Sequence, residues 1–307
     1  MFIVSKIENN AGFYSMFFNM LNHYIYAIRN NYGFGIDSSS WMFKYKDGWT
    51  DYFLNVEIPC NTFFDSFTTN CRNIIYEYPL YEYKNIIRNI YQYNDNMKNK
   101  IAEKMRELNL VPGEYDAIFI RRGDKLCDES MFFPTRKYFQ MLLEKNPNCK
   151  TIFLQTDDYN AYLDIQRFIK EDNLNIRVIT LCSPDCNGMV IFDNITPTDI
   201  DNASRKNKHN VNLEYLSQIS DQLKKEKPVN TMNSDEIYEH TLTLLIGVDI
   251  VLNSNICVCE YFSNVSRFIK FMHNNYENVY DIYRSNTEID LNTMKSPAFL
   301  CSFYPGL

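Results

Sequence analysis

Short apolar runs alternate along the chain with stretches in which apolar residues recur every three to four positions, and polar clusters separate the two. Phe2 to Val4 form a first short apolar run, followed by the polar turn Glu8-Asn9-Asn10-Ala11-Gly12. Phe17, Leu21, Tyr24, Ile25 and Ile28 then recur at helical spacing up to Asn30-Asn31, which predicts a strand, a glycine-containing loop and a helix. From Gly33 to about Cys71 no period is clear, and that region reads only as mixed. A helix is expected around 85–109, where Met97, Ile101, Met105 and Leu108 stand in a polar background. Val111-Pro112-Gly113-Glu114 breaks that pattern and is the best boundary in the chain.

A second series follows the break. Strands are expected over Tyr115 to Ile120, Thr151 to Gln155 and Arg177 to Leu181, with helices over Arg136 to Glu144 and Tyr159 to Lys170. After a poorly patterned polar stretch from Asp193 to Asn233, a helix should run from Ser234 through Leu245 and a strand from Asp249 to Leu252. A last helix is expected from Val265 to His273, capped by Ser263 or Asn264. Strands alternating with helices predict a parallel sheet covered on both faces, with ligands outside the carboxyl ends of its strands.

Composition narrows the class. At 307 residues, 45% hydrophobic and 22% charged, the chain is a folded protein long enough for two domains. No apolar run approaches the roughly 18 residues of a membrane span, and the apolar start is too short for a signal peptide. Asp and Glu number 38 against 31 Lys and Arg, and no basic stripe is present, so a nucleic-acid binder is not expected. Nine cysteines at scattered spacings form neither a disulfide framework nor a repeated C-x-x-C zinc pattern; they read as reduced, buried thiols of a cytoplasmic protein. None of His23, His209, His240 and His273 sits at ligand spacing from another, and no metal is expected.

The strand ends carry the candidate chemistry. Arg121-Arg122-Gly123-Asp124-Lys125 follows the first strand of the second series. Adjacent guanidiniums there need an anion or a buried carboxylate: they fit a diphosphate through bidentate charge-assisted hydrogen bonds, or form an ion-pair cluster. Thr156-Asp157-Asp158 follows the next strand and can cap the following helix, pair with Arg121 or Arg122, or bind a cation with a nucleotide. Asp199-Ile200-Asp201 has the Asp-x-Asp form that chelates a divalent ion, but it lies in a polar stretch with no strand before it and reads as a solvated loop. Glu129, on the loop that starts at Arg121, is placed to deprotonate a hydroxyl, or is a surface glutamate.

The run AIFIRRGDKLCDESMFFPTRKYF over 117–139 resembles the first donor-binding motif of the α1,6-fucosyltransferase family, which includes the core fucosyltransferase of animal N-glycans and the rhizobial nodulation-factor fucosyltransferase. IFLQTDD (152–158) resembles the second motif, VDIVLNSNICVCEYFSNVSRFIKFM (248–272) the third, and VIFDN (190–194) the segment that recognises guanine. NNAGFYSMFFNMLNHYIYA, near the N-terminus, is similar to the glycine loop and helix that close over the pyrophosphate from the other domain.

The resemblance implies an α/β, GT-B-like fold: two Rossmann-like domains facing across a cleft, with 1–111 on the acceptor side and 112–307 binding a GDP-sugar. It implies inverting, metal-independent transfer of fucose from GDP-fucose to a hydroxyl of an oligosaccharide or glycoconjugate. Arg121 would hold the donor phosphates, with Arg122, Asp124, Asp157 and Asp158 as the supporting charged network. Glu129 would be the general base and Lys125 its proton relay, with Tyr138 beside them. Asp193 would read guanine, and Gly12, Ser263 and Arg267 would complete the donor site. Three positions depart from the family: Phe119 replaces a histidine, Gly123 a threonine and Asn264 a glutamine. Other readings stay open: transfer of another GDP-sugar, nucleotide or glycan binding without catalysis, and a structural α/β protein whose clusters are mutual ion pairs.

Overall fold

The structure, a computed structural model, describes residues 2–7, 11–59, 80–122, 133–184, 231–261 and 263–282. These fall into two compact units, Met1–Asn99 and Lys100–Ser285. The division lies upstream of the Val111 to Glu114 turn.

In the first unit, strand β1 (Phe2–Lys6), helix α1 (Phe13–Arg29) and strand β2 (Gly33–Asp37) form a βαβ element whose two strands pair in parallel, Phe2 opposite Gly33 and Lys6 opposite Asp37. β2 lies in the stretch that showed no period; its sequence, GFGID, is too short and glycine-rich to signal a strand. α1 buries Phe13, Tyr14, Phe17, Met20, Leu21 and Ile25, the face that the helical spacing marked out. Against it packs an aromatic core. Trp49 and Phe53 stack with ring centroids 4.1 Å apart, Phe17 meets Tyr91 edge-on at 5.3 Å, and Trp41 crosses Tyr52 at 90°. Such pairs add about 0.5–1.5 kcal/mol each beyond their burial.

A single carboxylate shapes the loop that delivers Trp49. Asp51 accepts the backbone N–H groups of Tyr45, Lys46, Asp47 and Gly48, the first and last at 2.8 Å. The helix expected over 85–109 is instead two, α2 (Leu80–Ile90) and α3 (Asp95–Glu107). The break falls at Tyr91-Gln92-Tyr93, where Tyr91 joins the aromatic core and Leu54 donates its N–H to the Gln92 carbonyl at 2.7 Å. Asn94 restarts the helix by accepting the Met97 N–H at 2.8 Å.

The second unit is built on a five-stranded sheet in the order β5-β4-β3-β6-β7, parallel throughout. Its strands are β3 (Asp116–Ile120), β4 (Thr151–Thr156), β5 (Arg177–Thr180), β6 (Cys257–Cys259) and β7 (Val279–Asp281). Its helices after α3 are α4 (Thr135–Lys145), α5 (Tyr159–Glu171), α6 (Ser234–Leu252) and α7 (Asn264–Met272). β3 is buried at every position, as a central strand covered on both faces must be. The expected strand over Asp249 to Leu252 is a correction: these residues are the last turn of α6. A short, wholly buried apolar run does not reveal its own period. Here the helix continues because the Asn253 amide donates to the Asp249 carbonyl at 2.8 Å, and the Tyr115 hydroxyl donates to the Ile250 carbonyl at 2.6 Å.

Gly48 gives a test of the aromatic unit. Its φ is +83°, and a Cβ there would stand 2.2 Å from Ser38 Oγ and 2.8 Å from the Ser38 carbonyl oxygen. That hydroxyl accepts the Trp49 N–H at 2.8 Å. Gly48→Ala should therefore lower unfolding stability by roughly 1–3 kcal/mol, measured by urea denaturation and followed by tryptophan fluorescence.

Candidate functional site

Strand order reverses direction between β3 and β6, because β4 and β5 follow β3 on one side while β6 and β7 lie on the other. In an open parallel sheet the crevice outside the carboxyl ends at such a point is the ligand site. Arg121 and Arg122 leave β3 there, Asp157 and Asp158 leave β4, and Glu260 and Ser263 lie just past β6.

The adjacent arginines have different tasks. Arg122 is 2% exposed. Its Nη1 donates to Asp158 Oδ2 at 2.6 Å, and its Nη2 donates to Thr135 Oγ1 at 2.9 Å and to the Phe133 carbonyl at 3.2 Å. Asp158 in turn accepts the Asn160 N–H at 2.9 Å, capping α5, while Thr135 donates to Asp164 at 3.0 Å. Arg122 thus ties the end of β3 to the N-termini of α4 and α5. Arg121 is paired with Asp157, and both side chains keep a small solvent-facing fraction. Asp157 is itself fixed, since its Oδ1 accepts the Arg122 backbone N–H at 2.7 Å. The result is one guanidinium held in place at the crevice by a carboxylate that cannot swing away.

The β6–α7 turn is closed by its own side chains. Ser263 caps α7, accepting the Ser266 N–H at 3.1 Å. Arg267 lies along the turn, with Nε donating to the Tyr261 carbonyl and Nη1 to Asn264 Oδ1, both at 3.3 Å. Tyr138 sits in the core under α4, edge-on to Phe133. Burial first, and then the Glu260 carboxyl, push its phenol well above its ordinary pKa. It stays protonated near neutral pH. Gly12 belongs to the first unit, where its carbonyl accepts the Ser15 and Met16 N–H groups at the start of α1. Asp124, Lys125, Glu129 and Asp193 lie outside the described residues, as do Gly123, Asp199 and Asp201.

The sequence reading passed over Glu260 and Asp281, which follow or end β6 and β7 at the same edge of the sheet. The signal was the one used for Arg121, an ionisable residue at the end of a buried apolar run, but CVC is a run of only three. Among the described residues no group of three or more His, Cys, Asp or Glu side chains is arranged to hold a metal.

No protein-family model matches the chain, and no curated protein matches it in sequence. Solved structures do match. The structure of the NodZ α1,6-fucosyltransferase soaked with GDP-fucose aligns with a TM-score of 0.54 at 9% identity, covering 88% of this chain and 92% of that one. The selenomethionine form of the fucosyltransferase NodZ from Bradyrhizobium aligns with a TM-score of 0.52 at 10% identity, covering 88% and 91%. The chain shares their fold. The α/β, GT-B-like class expected from the sequence is therefore met at the level of fold, and at such low identity the likeness extends no further.

The two arginines should separate in experiment. Arg122→Ala would leave Asp158 buried without its charge partner, and should cost roughly 3–5 kcal/mol in denaturant unfolding. Arg122→Met combined with Asp158→Leu should recover a large part of that loss, because the uncompensated charge is gone.

Proposed function

We propose that the chain is an inverting, metal-independent glycosyltransferase that moves fucose from GDP-fucose to a hydroxyl of a glycan. The observation that carries this reading is Arg121, held by Asp157 at the carboxyl end of β3 beside the point where strand order reverses. It stands in a chain with the fold of fucosyltransferases, one of them solved after soaking with GDP-fucose. The order of the three sequence motifs supports the same reading.

In this mechanism the acceptor oxygen attacks C1 of fucose on the face opposite the nucleotide. The bond from C1 to the β-phosphate oxygen breaks, GDP departs with the electron pair, and Glu129, relayed by Lys125, takes the acceptor proton. Arg121 meets the charge that grows on the β-phosphate. Asp157 fixes the guanidinium before substrate arrives, so little reorganisation is needed as the bond breaks. Arg122 and Asp158 hold the strand end that carries Arg121. Asp193 would recognise the base.

We further place the protein in the cytoplasm. Among the described residues Cys149, Cys257 and Cys259 are buried thiols outside any disulfide, which suits a reducing compartment. No described helix is long and apolar enough to cross a membrane.

Thermal unfolding of the purified chain with GDP, GDP-fucose, GDP-mannose, UDP or UDP-glucose, each with magnesium or with EDTA, tests the donor. A ligand at a hundred times its Kd adds about 2.7 kcal/mol to the native state. GDP and GDP-fucose should raise Tm equally in magnesium and in EDTA. A response to UDP that requires magnesium, with none to GDP, would overturn the assignment. Arg121→Ala should lower transfer from GDP-fucose by roughly 10²–10³-fold while the circular dichroism spectrum is unchanged; undiminished turnover would remove Arg121 from the reaction.

A further inference from the structure

Glu260 is unexplained by anything so far assigned to the fold. It is 1% exposed, and neither of its carboxyl oxygens makes a well-formed hydrogen bond among the described residues. Ser263 and the residue's own backbone N–H lie near enough to favour the charged form somewhat, but without bonding geometry. A buried carboxyl in that condition costs free energy, and a structural role would be filled better by an apolar side chain.

Its position says what it could serve. β6 pairs with β3, Ala117 opposite Cys257 and Ile118 opposite Val258, so the residue just past Cys259 emerges beside the end of β3. The ionisable groups that face it are Arg121 from the end of β3, Tyr138 from α4 and Asp281 from β7. Burial above all, with the Asp281 charge, pushes its pKa up to about 8 against the opposing pull of its own backbone N–H, Arg121 and Ser263. At neutral pH the group is therefore an acid, with a proton to donate. An O–H donor beside a fixed guanidinium is complementary to an anionic oxygen, and to a cation it offers little.

We propose that Glu260 is a further residue of the donor-phosphate site, its carboxyl donating a hydrogen bond to an anionic oxygen of the bound nucleoside diphosphate. The proposal rests on the GDP-sugar reading above and deepens it: a carboxylate there would repel the diphosphate, so binding selects the protonated residue. The binding-competent acid form is full below the residue's pKa and is lost as pH rises through it, so affinity falls with rising pH.

Isothermal titration of the full chain with GDP from pH 7 to pH 9 tests this, with Glu260→Gln measured alongside to report whatever slope the ionisation of GDP itself contributes. Wild type should weaken about tenfold across that range. Glu260→Gln keeps a donor of the same shape that does not titrate. It should bind within about threefold of wild type at pH 7 and show no such slope. Glu260→Leu removes the donor and should lose at least about tenfold at pH 7. A slope retained in Glu260→Gln, or wild-type affinity in Glu260→Leu, would overturn the proposal while leaving the GDP-sugar reading in place. No GDP binding by wild type at any pH would overturn that reading and this proposal with it. The wild-type profile involves no substitution, so a variant that fails to fold does not decide the matter.

Discussion

The charged contact between the ends of β3 and β4 is the constraint on which the candidate site depends. A guanidinium and a carboxylate removed from water lose several kcal/mol of hydration each, and recover it only with close geometry and additional hydrogen bonds. Arg122 and Asp158 meet that demand: three of the arginine's contacts and the capping of α5 converge on one buried point. With that point fixed, the Arg122 backbone N–H holds Asp157 through its Oδ1, and Arg121 pairs with that carboxylate. The order of these dependencies explains why neighbouring residues of the same type differ in burial and in task.

The ends of the parallel strands gather charge on both sides of the point where strand order reverses. Arg121 stands on one side and Glu260 with Asp281 on the other. Burial is the largest influence holding Glu260 as an acid, and the Asp281 charge adds to it. A cation fixed by one carboxylate beside a second carboxyl that stays protonated is a combination suited to an anionic ligand. The first unit is of a different character. It relies on stacked and crossed aromatic rings, and a single carboxylate organises the loop that feeds Trp49 into them.

Much of the second unit was legible in the chain. β3, β4, α5 and α7 stand within a residue or two of where periodicity and capping residues place them, because each has a buried face of the right period and a polar boundary. The last turn of α6 was misread for the complementary reason: a segment buried all round loses the contrast between faces that distinguishes helix from strand. The single helix expected over 85–109 failed because Tyr91 and Tyr93 serve the aromatic core, a requirement set by Trp49 and Phe53, distant in sequence.

Local pattern and the geometry of βα units were enough to specify a parallel sheet, to put Arg121, Arg122, Asp157 and Asp158 at its strand ends, and to make those ends the place for a ligand. They could not say which arginine is buried as a brace and which keeps a solvent-facing fraction, or that Glu260 is buried just past β6 at the same edge of the sheet. Those outcomes belong to the assembled sheet. Burial and pairing depend on which strands become neighbours, and β6 pairs with β3 across more than a hundred positions of sequence.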